Sequence, residues 1–165
     1  MSESFDVHDA GSVTVGTVGE PGQRTFYLQV ADASLTLTLK VEKQQVAVLT
    51  RALAELLSDL PAPGAIPPAA ELAEPAEPAW AVGGMQLSYD HDLDRILVVA
   101  EELVDDDDPG AVARVRITRE QAASLIQRGE ELVEAGRPPC PWCGFPLDPA
   151  GHSCPRTNGH RPPTL

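Results

Sequence analysis

The chain of 165 residues carries a formal net charge of −13, and its length suits one domain or one domain with a small appendage. The charge excludes a protein whose whole surface binds nucleic acid, because phosphate contacts need clustered Lys and Arg. No apolar run approaches the roughly 20 residues that cross a bilayer, and no basic, apolar leader is recognisable, so we expect a cytoplasmic protein without membrane contact.

Residues 1–60 predict a first unit of three strands and one helix. The strand segments alternate aliphatic and polar residues, as half-buried strands require. A period of three and four residues then replaces the alternation, which predicts a helix that ends before Pro61. The predicted strands are residues 13–18, 25–30 and 35–41, with a turn at 19–22, and the helix begins near Gln44.

Residues 61–78 hold six prolines among alanine and glutamate. Proline lacks the amide donor that helix interiors and strand ladders need, so this composition supports neither. We expect an extended linker or a long loop that divides the chain.

Residues 79–136 predict a second unit with the same order of elements. Thr118 and Gln121 have the spacing of a capping box, which predicts a helix that begins just after Thr118. An apolar stripe continues along this helix. The predicted strands are residues 85–89, 96–100 and 111–117.

The two halves align without gaps at their strand-to-helix junctions. Residues 41–49 match residues 117–125, and residues 55–57 match residues 131–133. Tandem copies explain the match, although any such junction shares this chemistry. Each half has one apolar sheet face and one apolar helix stripe, which complete a single core if the halves pack together. We therefore expect an α+β fold of two tandem β-β-β-α units forming one sheet-and-helix body.

The C-terminal segment, residues 137–165, has the ligand pattern of a zinc ribbon. Its C-P-x-C-G motif is typical of a zinc knuckle, in which a tight turn directs two thiolates towards one tetrahedral ion. We favour His152 over His160 because it stands beside a third cysteine in what resembles a second knuckle. The predicted ligands are Cys140, Cys143, His152 and Cys154, with His160 as the alternative to His152.

A redox C-x-x-C pair and three separate thiols are the competing interpretations. A redox pair normally begins a helix, and the prolines around this motif prevent one, so zinc is favoured. Four protein ligands leave no position for water, so the predicted Zn²⁺ is structural and replaces an apolar core in a short segment. We expect Trp142 and Phe145 to cover the ion or dock the segment on the body, with binding of a partner as the alternative.

Weaker patterns do not predict further sites. Residues 90–101 resemble a calcium loop, but Arg95 replaces the required glycine and a strand follows, so they predict a hairpin tip. Gly16, Gly19 and Gly22 lack the helix and lysine of a phosphate-binding loop and are predicted to be turn glycines. No catalytic motif is recognisable, which favours a non-enzymatic protein.

The ending CPWCGFPLDPAGHSCPRTNG, residues 140–159, resembles that of an actinobacterial family of conserved hypothetical proteins. The similarity extends to GTVGEPGQRTFYL at residues 16–28 and EKQQ at residues 42–45. The resemblance implies an actinobacterial, intracellular origin and no particular activity.

Three functional hypotheses follow. The first is a non-enzymatic protein-interaction or adaptor module, in which the C-terminal segment, with a charge of +2 against −15 for the rest, contacts a protein partner. The second is nucleic-acid binding by this segment alone, and the third is an enzyme with a pocket between the halves. The second would use Arg137, Arg156, Arg161 and Trp142, and the third Arg24, Tyr27, Lys43 or His91.

Overall fold

The computed structural model describes residues 1–20, 22–135, 139–145, 147 and 154–156. The elements in this part of the chain form a seven-stranded mixed sheet and two helices, so the predicted α+β class is confirmed. In chain order they are β1 (Phe5–Val7), β2 (Ser12–Val18), β3 (Thr25–Ala31), β4 (Thr36–Val41), α1 (Lys43–Ser58), β5 (Trp80–Asp90), β6 (Arg95–Glu102), β7 (Val112–Ile117) and α2 (Arg119–Glu134).

Each half contains an antiparallel three-stranded meander followed by a helix. Seven consecutive residue pairs join β2 to β3, and seven join residues 84–90 of β5 to residues 95–101 of β6. The third strands, β4 and β7, add six pairs each. Successive strand residues point to opposite faces, so the alternating aliphatic residues of each meander share one buried face.

The sheet curls back on itself. Its strand order is β1-β7-β6-β5-β4-β3-β2, which puts β1 and β2 at opposite ends. Residues 8–11 alone separate these strands and span at most about 17 Å, whereas the edges of a flat seven-stranded sheet lie about 29 Å apart. Parallel pairing joins the halves at two places, β4 with β5 and β1 with β7.

Both helices begin with a capping box whose glutamine also bonds a backbone carbonyl elsewhere in the chain. In α1 the box consists of Glu42 and Gln45, and in α2 of Thr118 and Gln121. Satisfying the free amides of the first turn stabilises a helix start. Gln45 Nε2 donates to the carbonyl of Val82 at 2.9 Å, and Gln121 Nε2 donates to the carbonyl of Ala10 at 2.7 Å.

One apolar cluster spans both halves. Leu49 of α1 and Leu125 of α2 line the same interior cavity as residues of β2, β3, β4, β6 and β7. Burial of such aliphatic side chains contributes about 25 cal/mol per Å², so the body is held chiefly by this shared core. Neither helix in the described ranges is long and apolar enough to cross a membrane.

Residues 61–79, here called the strap, contain no helix or strand. The strap begins beside α2, where Arg119 Nη1 donates to the carbonyls of Pro61 at 2.6 Å and Ala62 at 2.9 Å. It then contacts β2, where Thr14 Oγ1 donates to the carbonyl of Ala70 at 2.7 Å. The strap therefore crosses the face of the first meander that points away from the core.

Gly16 lies inside β2 and is not a turn residue, so that prediction is wrong. A Cβ atom built on Gly16 would lie 2.8 Å from Cβ of Leu72 in the strap. The missing side chain lets the strap approach the strand backbone. Gly19 and Gly22 do occupy the turn, with φ values of +106° and +92°.

Candidate metal centre

A tight turn places the first two cysteines. The N–H of Gly144 donates to the carbonyl of Cys140 at 2.8 Å, and the N–H of Cys140 donates to the carbonyl of Phe145 at 2.7 Å. Gly144 has φ of +77°, a left-handed conformation that glycine adopts without steric cost. The C-P-x-C-G sequence therefore folds into a compact loop with both thiols attached.

The three thiols form one cluster. The Sγ atoms of Cys140, Cys143 and Cys154 all lie within 4.8 Å of one another, and those of Cys140 and Cys154 are 3.9 Å apart. Three thiolates bound tetrahedrally to zinc at about 2.3 Å would be separated by about 3.8 Å. The cluster fits a metal ion of that size, and none of the three cysteines forms a disulfide.

Backbone amides support negative charge on the cluster. Burial would raise the pKa of the Cys140 thiol, but its hydrogen bonds from the N–H groups of Trp142 and Cys143 and from the other two thiols lower it overall. Burial raises the pKa of Cys143, and the thiols of Cys140 and Cys154 raise it further, although the N–H of Phe145 opposes this. The backbone amides thus favour the thiolate form of Cys140, which is the form that binds a metal.

The cluster has little apolar surface of its own. Cys140 and Cys154 are buried at 2% and 6% exposure, and Leu147 completes a cluster separate from the main core. A group this small cannot offset the entropy of ordering its backbone by apolar burial alone. A metal bond would supply the missing stabilisation.

Predicted histidine ligands His152 and His160 lie outside the described residues, as do Arg137 and Arg161. Within the described part of the chain, the group that could hold a metal ion consists of the three cysteines.

Trp142 and Phe145 are more exposed than expected of rings that cover an ion or dock the segment on the body. They are 47% and 59% exposed, although their backbone amides hydrogen-bond to thiols of the cluster. The turn fixes their backbones on the sulfur side and directs the rings outwards. Arg156, two residues beyond Cys154, is also exposed.

The interior between the halves does not form a polar pocket. Its cavity has a volume of about 10 Å³ and only aliphatic lining residues, room for no more than about one water. None of the four polar residues suggested for an enzyme lines it: Arg24 donates to the carbonyl of Ala135, Tyr27 is half-buried on the outer face, and Lys43 and His91 are exposed.

A polar cluster at the β5–β6 turn was not predicted from any sequence pattern. Arg119 Nε and Nη2 donate to the two carboxylate oxygens of Asp94 at 3.1 and 3.2 Å, and the Tyr89 hydroxyl donates to the same carboxylate. These bonds, Arg119 first, lower the pKa of Asp94. The cluster ties the hairpin tip to α2 and to the start of the strap.

The fold and the thiol cluster define a small α+β protein with a cysteine-based candidate metal centre. Residues 4–154 match the family described as "Protein of unknown function (DUF3090)", and the chain belongs to that family. The matched range includes all three cysteines and His152 but not His160. Searches of curated proteins and of solved structures found no match.

Proposed function

We propose that this chain is a non-enzymatic protein-interaction module with a structural zinc site. The single observation that carries the proposal is the convergence of three thiols to within 4.8 Å. Sulfur ligands with this spacing favour zinc among the common divalent ions. His152 is the proposed fourth ligand, supported by its place beside Cys154 and within the range that matches the family.

A site closed by four protein ligands has a structural role. Three thiolates and one imidazole complete the tetrahedral shell, so no water or substrate can reach the ion. A cytoplasmic location is part of the proposal, because a reducing compartment keeps the thiols available for metal.

The proposed contact surface consists of Trp142, Phe145 and Arg156. Exposed aromatic rings and arginine are the residue types most enriched at the centres of protein interfaces. The two rings stand on a backbone that is hydrogen-bonded to the metal-binding thiols, so metal binding would fix them before a partner arrives. Such preorganisation lowers the entropy cost of association.

A comparison of captured partners tests this surface. Zinc-loaded wild-type protein should retain a defined host protein that the Trp142→Ser/Phe145→Ser variant loses. Leu93→Ser is the matched control, since Leu93 is 57% exposed on the body, and it should retain the partner. Removal of zinc by a chelator should abolish capture. A partner retained equally by the double variant would contradict the proposal.

Nucleic-acid binding by the C-terminal segment is the second candidate, favoured by the exposure of Trp142 and Arg156 together. The same capture distinguishes it, because the retained material would then be nuclease-sensitive and lost at raised salt. The interior cavity is aliphatic, so it gives no support to an enzyme with a buried pocket between the halves.

We also propose that the two halves are structural copies. The strand and helix at 36–41 and 43–58 recur 76 residues later at 112–117 and 119–134. The meanders share one register, and the capping glutamines make equivalent contacts. By this correspondence, β1 lies beside β7 much as the start of β5 lies beside β4.

A further inference from the structure

The strap binds one row of side chains on the outer face of the first meander. Thr14, Gln29 and Thr38 are cross-strand neighbours in this row. The Gln29 side chain accepts from the N–H of Ala73 at 2.8 Å and donates to its carbonyl at 3.2 Å. Thr14 Oγ1 donates to the carbonyl of Ala70. An extended segment is therefore held here through its backbone, as in other cases of peptide recognition on sheets.

The second meander has the same row in the same register. The two meanders can be aligned by numbering the residue pairs from the same end of each ladder. In this alignment the positions of Thr14, Gln29 and Thr38 correspond to Gln86, Val99 and Arg114. One row further along the sheet, Ser88 and Leu97 take the places of Gly16 and Tyr27. Corresponding positions can therefore be compared side chain by side chain.

The side chains of the two rows differ in solvent exposure. Thr14, Gln29 and Thr38 are 3%, 6% and 6% exposed. Gln86 and Arg114 are exposed and Val99 is only half-buried. The fold thus carries its own peptide on one outer face and leaves the corresponding row of the second half open in the described part of the chain.

The charge of the open row indicates what it would bind. Arg114 stands where the first half has an uncharged threonine, and it has no hydrogen-bond or ion-pair partner among the described residues. A carboxylate in an extended peptide would complement it. The strap itself is acidic, with Glu71, Glu74 and Glu77 and no basic residue.

We propose that the row Gln86–Val99–Arg114 is a second interaction surface, which binds an extended acidic peptide segment of a partner protein. The Gln86 side chain, whose Nε2 donates to Glu101 Oε1 at 3.4 Å in the chain alone, accepts from a peptide N–H through its free carbonyl oxygen, and Arg114 bonds a carboxylate. In the first half, Leu72 of the strap lies against the bare backbone of Gly16. Ser88 has a side chain at the corresponding position, so an aliphatic side chain of the peptide packs on Leu97 and Val99 instead. This surface shares no residue with the metal centre and does not need the ion.

The probe is a synthetic peptide with the sequence of residues 68–76, added to the isotope-labelled full chain. We expect amide chemical-shift changes at Gln86, Val99 and Arg114. The chain's own strap keeps the first row occupied, because an attached segment has a high effective concentration. Arg114→Glu should weaken binding about tenfold or more by replacing attraction with repulsion.

The matched control is Lys40→Glu, which reverses an exposed charge on the outer face of the first meander and should leave the dissociation constant unchanged. Three results would overturn the proposal. These are no shift changes at about 1 mM peptide, changes confined to Thr14, Gln29 and Thr38, or equal binding by wild-type protein and Arg114→Glu.

Discussion

Gly129, in the middle of α2, lies in tight contact with α1. A Cβ atom built there would lie 2.2 Å from Cγ2 of Thr50 in α1 and 3.5 Å from Cγ1 of Val46. Thr50 cannot turn away freely, because it is buried and its hydroxyl donates to the carbonyl of Ala47 at 2.9 Å. The helices can pack at this distance because residue 129 has no side chain.

We therefore predict that Gly129→Ala destabilises the protein, contrary to its effect in an isolated helix. Overpacking costs about 1–3 kcal/mol, against roughly 1 kcal/mol gained when alanine replaces a helical glycine. Urea unfolding measures the net change.

The Thr50→Ser/Gly129→Ala double variant is the control, since Thr50→Ser removes the methyl group and keeps the hydroxyl. It should be more stable than Gly129→Ala alone, which makes the two changes non-additive. Additive free energies of unfolding would show that this contact does not limit helix packing.

Part of the cysteine cluster could be predicted from the sequence. Cys140 and Cys143 fall in one turn, so their spacing alone placed them together, and Cys154 joined them as expected. The exposure of Trp142 and Phe145 could not be predicted, because it depends on which side of the turn faces the sulfurs. The contact between Gly129 and Thr50 gave no signal either, since it joins distant parts of the chain.

At the scale of elements, the two capping glutamines test whether the halves are equivalent. Gln45→Ala and Gln121→Ala each remove the reciprocal capping bond and a bond to a distant backbone carbonyl, that of Val82 in β5 or that of Ala10 before β2. Each should lower the free energy of unfolding by about 1–2 kcal/mol, with similar values for both. Denaturant unfolding of the two variants provides the comparison.

Gln44→Ala is the matched control, because Gln44 is exposed in the same turn of α1 and should change stability by less than about 0.5 kcal/mol. A large loss for one capping glutamine and none for the other would argue against equivalent halves.

Strands and helices with a periodic sequence were predictable. Segments whose structure depends on pairing with residues far away in the chain were not. The alternation in β2 to β4 and the apolar stripe of α1 are local signals, and these elements lie within a few residues of their predicted bounds. β1 is only three residues long and pairs with β7, so no local pattern marks it. The prolines of the strap excluded regular structure but could not indicate that it binds β2 and β3.

At the scale of the whole molecule, an acidic body with one shared core carries a small cysteine cluster outside that core. Burial of aliphatic side chains stabilises the body, whereas the cluster has too little apolar surface to be stabilised in this way. We therefore predict that metal loss unfolds the cluster and leaves the body folded, because different interactions stabilise the two parts.

The most direct test of this account is the metal content of purified, reduced protein, measured by elemental analysis together with His152→Ala and His160→Ala. We predict one zinc ion per wild-type chain, a loss of tightly bound zinc in His152→Ala and full retention in His160→Ala. A wild-type chain that holds no stoichiometric metal under reducing conditions would show that the three thiols do not form a zinc site.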